Sequence, residues 1–239
     1  MHDTFSSARM LARRSFFHVA GAGAAASALV LAGCGKDDDP VTPAPSNGML
    51  SLGSFIASDK NDSNITVLNY AYLLEQIEAA FYDKIVTTPP ADLLPGELAY
   101  LTDLRDHELI HREYLKYALG TSAYDNGAVT PLVFDFSSLT LTTRTGVWTA
   151  AQQLEDVGVA AYNGAAKYLT STDYLNVLGK LVSVEARHAV LAREMLQAGS
   201  FAATVGSTGL DDSKTPAEVV ALIQRFVPVE ISTASLPTT

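Results

Sequence analysis

The stretch Leu181-Val-Ser-Val-Glu185-Ala-Arg-His188-Ala-Val-Leu-Ala-Arg-Glu-Met-Leu196 sets a carboxylate and an imidazole three residues apart inside an apolar helical stripe. Residues three apart share a helix face. Leu181, Val184, Glu185, His188, Leu191 and Met195 therefore fall on the side that a folded chain must bury. An ionised Glu on that side is unfavourable unless something pairs with it. The same arrangement stands upstream, where Leu104-Arg-Asp-His107-Glu108-Leu-Ile-His111-Arg-Glu-Tyr-Leu115 again puts a Glu three residues before a His.

Two further helical stretches carry a Glu without the His. Leu74-Glu75-Gln-Ile-Glu78-Ala-Ala-Phe-Tyr82 and Leu154-Glu155-Asp-Val-Gly158-Val-Ala-Ala-Tyr162 share Leu-Glu followed by a Tyr seven residues after the Glu. The chain thus reads as a duplication, with offsets of 80 from Glu75 to Glu155 and 77 from Glu108 to Glu185. Chance pairing is a weak explanation: the chain holds ten Glu, and beyond an N-terminal export signal only His107, His111 and His188 remain.

Four helices offering Glu, Glu-x-x-His, Glu and Glu-x-x-His resemble the ligand set of ferritin-like di-iron and di-manganese carboxylate proteins. Within that superfamily, residues 62–199 resemble the bacterial secreted ferritin-like proteins often labelled desiccation-related. The resemblance implies an all-α fold, a ferritin-like four-helix bundle. It also implies that Glu75 and Glu155 are terminal ligands, that Glu108 and Glu185 bridge two metals, and that His111 and His188 serve one metal each.

Glu108 and Glu185 have a simpler reading as exposed partners of Arg112 and Arg187, but both lie on the apolar stripe. Tyr82 and Tyr162 lean toward the N-termini of their helices. There they would either hydrogen-bond the ligand carboxylates as a second layer or serve only as core aromatics. Glu78 faces a different prospect, because its counterpart in the repeat is Gly158. It is an extra ligand on one side of the site or an ordinary polar residue. His107 lies one position off the core face and receives no role.

Around these motifs the helices take shape. Asp62, Ser63 or Asn64 would cap the first, which stops ahead of Pro89-Pro90. The second runs from about Pro95 to Leu119, with Gly120 after it. Residues 121–145 form a long crossover between helices 2 and 3, since in such bundles those two run parallel. Leu132, Val133, Phe134 and Phe136 would hold it along the bundle. Helices over about 146–169 and 171–198 follow, and then a short C-terminal helix over 216–226 with Thr215 as cap. That last helix offers Ala217, Val220, Leu222, Ile223 and Phe226 for packing. The tail beyond Pro228 reads as loose.

Ahead of the bundle, Arg13-Arg14-Ser-Phe-Phe, an Ala/Gly-rich run and Leu31-Ala-Gly-Cys34 read as a lipoprotein signal peptide over 1–33. The paired arginines resemble the twin-arginine (Tat) signal for export of folded proteins. Cys34 would then be the lipidated first residue of an exported protein, anchored to a membrane in the periplasm or at the cell surface. It is the only cysteine, so no internal disulfide supports the fold. Residues 34–61 read as a Pro-rich disordered tether, in which Met49, Leu50, Leu52, Phe55 and Ile56 offer a short lead-in to the bundle. Residues 200–239 form a C-terminal extension.

A net charge of −10 argues against nucleic acid as a partner, since phosphate contacts need clustered Lys and Arg. Four carboxylates and two imidazoles meeting in a core repel one another toward protonation unless cations enter. Oxygen and imidazole donors without thiolate suit two ions of iron, or else manganese. Two functions follow. One is a stress-defence protein whose di-metal site oxidises Fe(II) or reacts with oxygen or peroxide. The other is a non-catalytic bundle with structural or no metal that protects the envelope or binds a partner. Oligomeric state is open, though lipid, tether and C-terminal extension speak against a closed storage shell.

Overall fold

The computed structural model describes residues 48–238, except 55–58, 129, 204 and 206. The export signal, Cys34 and the tether up to residue 47 lie outside the described residues, as do Phe55 and Ile56 of the lead-in.

Among the described residues there are five α-helices: α1 (Lys60–Thr87), α2 (Glu97–Leu119), α3 (Arg144–Ala165), α4 (Thr172–Leu196) and α5 (Pro216–Ile223). Among the described residues the only β-type pairing is one isolated parallel bridge, Leu50 with Ile231. The fold is the all-α bundle that the sequence implies.

Each helix begins where a side chain can accept from its free N–H groups, α2 excepted, which starts at Gly96 without a side-chain cap. Asp59, not Asp62, Ser63 or Asn64, caps α1, with Oδ1 2.9 Å from the Asn61 amide nitrogen. Asn64 has another task. Its amide accepts from the backbone of Thr170 and Ser171 and donates to the Thr170 hydroxyl, tying the start of α1 to the α3–α4 connection. Ser171 caps α4 and Thr143 caps α3. Gly120 follows α2 with φ +54°, a conformation suited to glycine.

Arg144 gathers the opposite end. Its backbone N–H donates to Asp92 (2.7 Å), and its guanidinium reaches Glu97 (2.6 Å) and the Met195 carbonyl (2.7 Å). The end of α1, the starts of α2 and α3 and the end of α4 therefore meet there, so α2 and α3 run parallel. Only a full-length return can join them, and residues 120–143 supply it. Asn69 in α1 secures that crossover by donating to the Ser122 carbonyl and accepting from the Tyr124 N–H. Phe136 packs edge-on against Phe81. Leu132 and Phe134 are half-buried, whereas Val133 is 78 % exposed, since successive side chains of an extended segment face opposite ways. Covered by the crossover as well as by its neighbours, α1 is buried around most of its circumference.

Two sequence expectations need correction at the chain's ends. Beyond Pro228 the tail is held, not loose: Ile231 and Leu236 are buried, Ile231 N–H donates to Gln224 Oε1, and residue 50 exchanges backbone hydrogen bonds with 230 and 232. Leu52 is fully buried too, so the packed body takes in residues 48–54 and starts before the expected end of the tether at 61. Helix α5 has the capping box Thr215–Glu218 and lies against α3. It buries Val219, Val220 and Ile223, while Ala217 and Leu222, expected inward, are exposed. Gly164 allows this close approach, because a Cβ there would stand 1.8 Å from the Lys214 carbonyl oxygen.

Candidate metal centre

Helix pairing sets the site's symmetry. Tyr82 donates to Glu155 Oε1 (2.5 Å) and Tyr162 donates to Glu75 Oε1. Residues 82 and 155, like 75 and 162, total 237, the constant sum of two antiparallel helices. Across α2 and α4, His188 Nδ1 lies 2.7 Å from Glu108 Oε1 and His111 Nδ1 2.7 Å from Glu185 Oε1. Those numbers total 296 in both pairs. The duplication in sequence is thus an approximate two-fold axis in space, and each half completes the other.

All six residues singled out from sequence converge about that axis. Glu75, Glu108, Glu155 and Glu185 have no exposed surface, and His111 and His188 are buried. One group comprises Glu75, Glu108, His111 and Glu185. The other comprises Glu108, Glu155, Glu185 and His188. In each, the donor atoms lie within 4.8 Å of one another.

The oxygens divide evenly. Glu108 sets Oε2 3.4 Å from His111 Nδ1 and Oε1 beside His188. Glu185 sets Oε1 beside His111 and Oε2 3.7 Å from His188 Nδ1. Glu75 and Glu155 each serve one group, at 3.3 Å from His111 and 3.6 Å from His188.

Despite the short spacings, eight of these atoms lack an aligned hydrogen bond: one oxygen each of Glu75 and Glu155, both oxygens of Glu108 and Glu185, and Nδ1 of both histidines. Buried polar atoms are rarely left so. Eight donor atoms crowded together without aligned hydrogen bonds are what a cation site presents.

The alternative surface role fails by geometry. Arg112 pairs with Glu113, and Arg187 donates to the Ser183 carbonyl.

Protonation follows from the crowding. Burial, aided by the neighbouring carboxylates, pushes Glu75 and Glu78 well above the usual range. Burial also takes Glu155 up to about 8 against the pull of His188. At Glu108 burial opposes ionisation, but the two imidazoles outweigh it and hold the carboxyl down at about 2. Burial works against His111 as well, yet Glu108, Glu185 and Glu75 push it up to about 12, and His188 is raised for the same reason. Metal-free, the site neutralises itself with protons, which must leave when a cation enters.

Both tyrosines are raised by burial and then by the adjoining carboxylates, so they stay neutral donors. They sit in the second layer and cross to the opposite half's Glu, a partner that the sequence did not specify.

Glu78 belongs to neither group. Buried, with Oε2 unpartnered, it points at Gly158, where a Cβ would stand 2.8 Å from its Oε1. Gly158 is therefore the space that admits Glu78.

His107, assigned nothing from sequence, meets His188 edge to edge: the rings are 8° from parallel and Nδ1 is 3.0 Å from His188 Nε2. Burial and His188 lower its pKa below the usual histidine value. The signal that could have found it was its place one turn ahead of His111.

Residues 63–198, more than half of the chain, match a family model described as a ferritin-like domain. A comparison with curated proteins finds no match.

Proposed function

The chain belongs to the ferritin-like domain family, and on that premise we propose that its buried cluster is a two-metal carboxylate site that oxidises Fe(II) or reacts with oxygen or peroxide. The observation that carries this is the set of eight buried donor atoms without aligned partners, divided between two groups that share Glu108 and Glu185. In this reading Glu75 and His111 would hold one ion, Glu155 and His188 would hold the other, and Glu108 and Glu185 would serve both. Iron suits the donor set best, with manganese next. Bound there, a redox-active pair supplies electron exchange between Fe(II) and oxygen or peroxide.

The protein's own groups prepare that chemistry. Tyr82 and Tyr162 fix the two outer carboxylates by donating to one oxygen of each, leaving the other oxygen inward. Glu78, held neutral by burial, stands among the ligand carboxylates as a proton source. The apolar shell keeps bulk water from the four carboxylates, whose side chains are fully enclosed.

Protein purified from its native host is expected to carry about two metal ions per chain, and to oxidise added Fe(II) faster than buffer does when oxygen or peroxide is present. Metal-free protein, or loaded protein inert to both oxidants, would instead favour a non-catalytic bundle.

Export and anchoring belong to the same proposal, supported by Arg13-Arg14 and Leu31-Ala-Gly-Cys34. Among the described residues no helix is long and apolar enough to cross a membrane. Radiolabelled palmitate should therefore enter the wild-type protein and not Cys34→Ser; equal labelling would refute the lipid. The role in oxidative or drying stress rests on the resemblance to secreted, desiccation-related proteins.

A further inference from the structure

Both ring nitrogens of His188 are engaged. Nδ1 faces Glu108, Glu155 and Glu185, while Nε2 faces Nδ1 of His107 at 3.0 Å. A neutral imidazole carries one proton, so if Nδ1 offers its lone pair to a cation, the proton sits on Nε2. From there it is donated to His107 Nδ1, which leaves the proton of His107 on its own Nε2. The ring planes are 8° from parallel and the centroids 5.2 Å apart, so the two imidazoles meet edge to edge through this nitrogen pair, and the contact also holds the plane of the His188 ring.

The other half lacks this device. Moving His107 by the repeat offset of 77 gives Val184, which has no side-chain acceptor. His111 faces Glu75, Glu108 and Glu185 through Nδ1 just as His188 faces its own three carboxylates, but without a matching imidazole behind it. The two groups are therefore alike in their inner donors and unlike in what supports the histidine.

We propose that His107 is a positioning residue that fixes His188 as the Nε2-protonated tautomer, so that the Glu108–Glu155–Glu185–His188 group takes its cation ahead of the group containing His111. This rests on the two-metal reading above. Partners of this kind, behind a ligating imidazole, change metal affinity by about 10- to 100-fold.

Titration of the metal-free full chain with Co(II), followed by visible absorption and calorimetry, tests the order. Wild type should bind in two steps separated by about 10-fold or more in affinity. His107→Phe keeps a flat ring beside His188 but removes the acceptor; the tighter step should weaken by about 10-fold and merge with the other, which stays where it was. His107→Asn returns an acceptor oxygen at the place of Nδ1 and should restore two steps. That rescue would not follow if His107 only filled space.

Unchanged steps in His107→Phe, equal weakening of both, failure of the Asn rescue, or a single step in wild type would each overturn the inference while leaving the two-metal site intact. A wild type that takes up no Co(II) would overturn the two-metal reading and this inference together.

Discussion

Glu108→Ala should strip the protein of both metal ions, whereas Glu75→Ala should remove only one. Glu108 contributes Oε2 to the group around His111 and Oε1 to the group around His188. Glu75 adds an oxygen near His111 alone. Truncating Glu108 thus takes a donor from each group at once and leaves His111 and His188 without the carboxylate that holds them between the two halves. Metal content per chain, measured at concentrations that saturate wild type, should fall from about two to near zero in Glu108→Ala and to about one in Glu75→Ala.

Loss of folding would give the same metal count, so the helical circular dichroism of each metal-free variant must be compared with that of metal-free wild type. Some loss of stability is expected, because the change removes a carboxylate paired with both imidazoles, so metal is counted only where the helical signal is retained. Glu108→Gln supplies a finer test: it keeps one acceptor oxygen and the volume but turns an amide toward one group, so one ion should remain. Two ions retained in Glu108→Ala would remove the shared role from Glu108 and undo the two-metal assignment.

The difference between what sequence made legible and what it hid follows from the kind of information involved. Periodicity and spacing carry the six converging residues, since a polar group recurring on an apolar face at the same point of a duplicated pattern has no cheap alternative. Cross-helix partners carry no such signature. That Tyr82 reaches Glu155, and not Glu75 on its own helix, depends on an antiparallel register that only packing sets. Gly158 was visible as a gap in the repeat, but its meaning as room for Glu78 emerges only from the 2.8 Å approach. His107 was passed over because face arithmetic treats a position as inside or outside, and this one lies at the rim. The tail misled for a similar reason: Ile231 and Leu236 are isolated apolar residues among Ser, Thr and Pro, and Ile231 pairs with Leu50, far away in sequence.

Removing metal should lower the thermal midpoint by roughly 15–30 °C, and the gap should widen as pH rises. A ligand present at about 1,000 times its dissociation constant stabilises the folded state by about 4 kcal/mol, so two ions contribute on the order of 8 kcal/mol. For a body of this size each kcal/mol moves the midpoint by about 2–4 °C.

The pH dependence comes from the protons that metal displaces. In the metal-free protein Glu155 is raised from 4.5 to about 8. The stability it adds is therefore complete below its ordinary value and is lost as pH climbs toward 8. His111, raised from 6.5 to about 12, adds stability that is complete below 6.5 and is lost only toward pH 12. Both groups make the metal-free fold weaker with rising pH. Cation binding runs the other way, since it must expel those protons and so strengthens as they become easier to lose.

Melting the chelator-treated and the reloaded protein at pH 5.5 and at pH 8 should show a small gap at the lower pH and a large one at the higher. Coincident midpoints at both, or a gap that shrinks toward pH 8, would mean that the buried carboxylates and imidazoles balance one another without a cation.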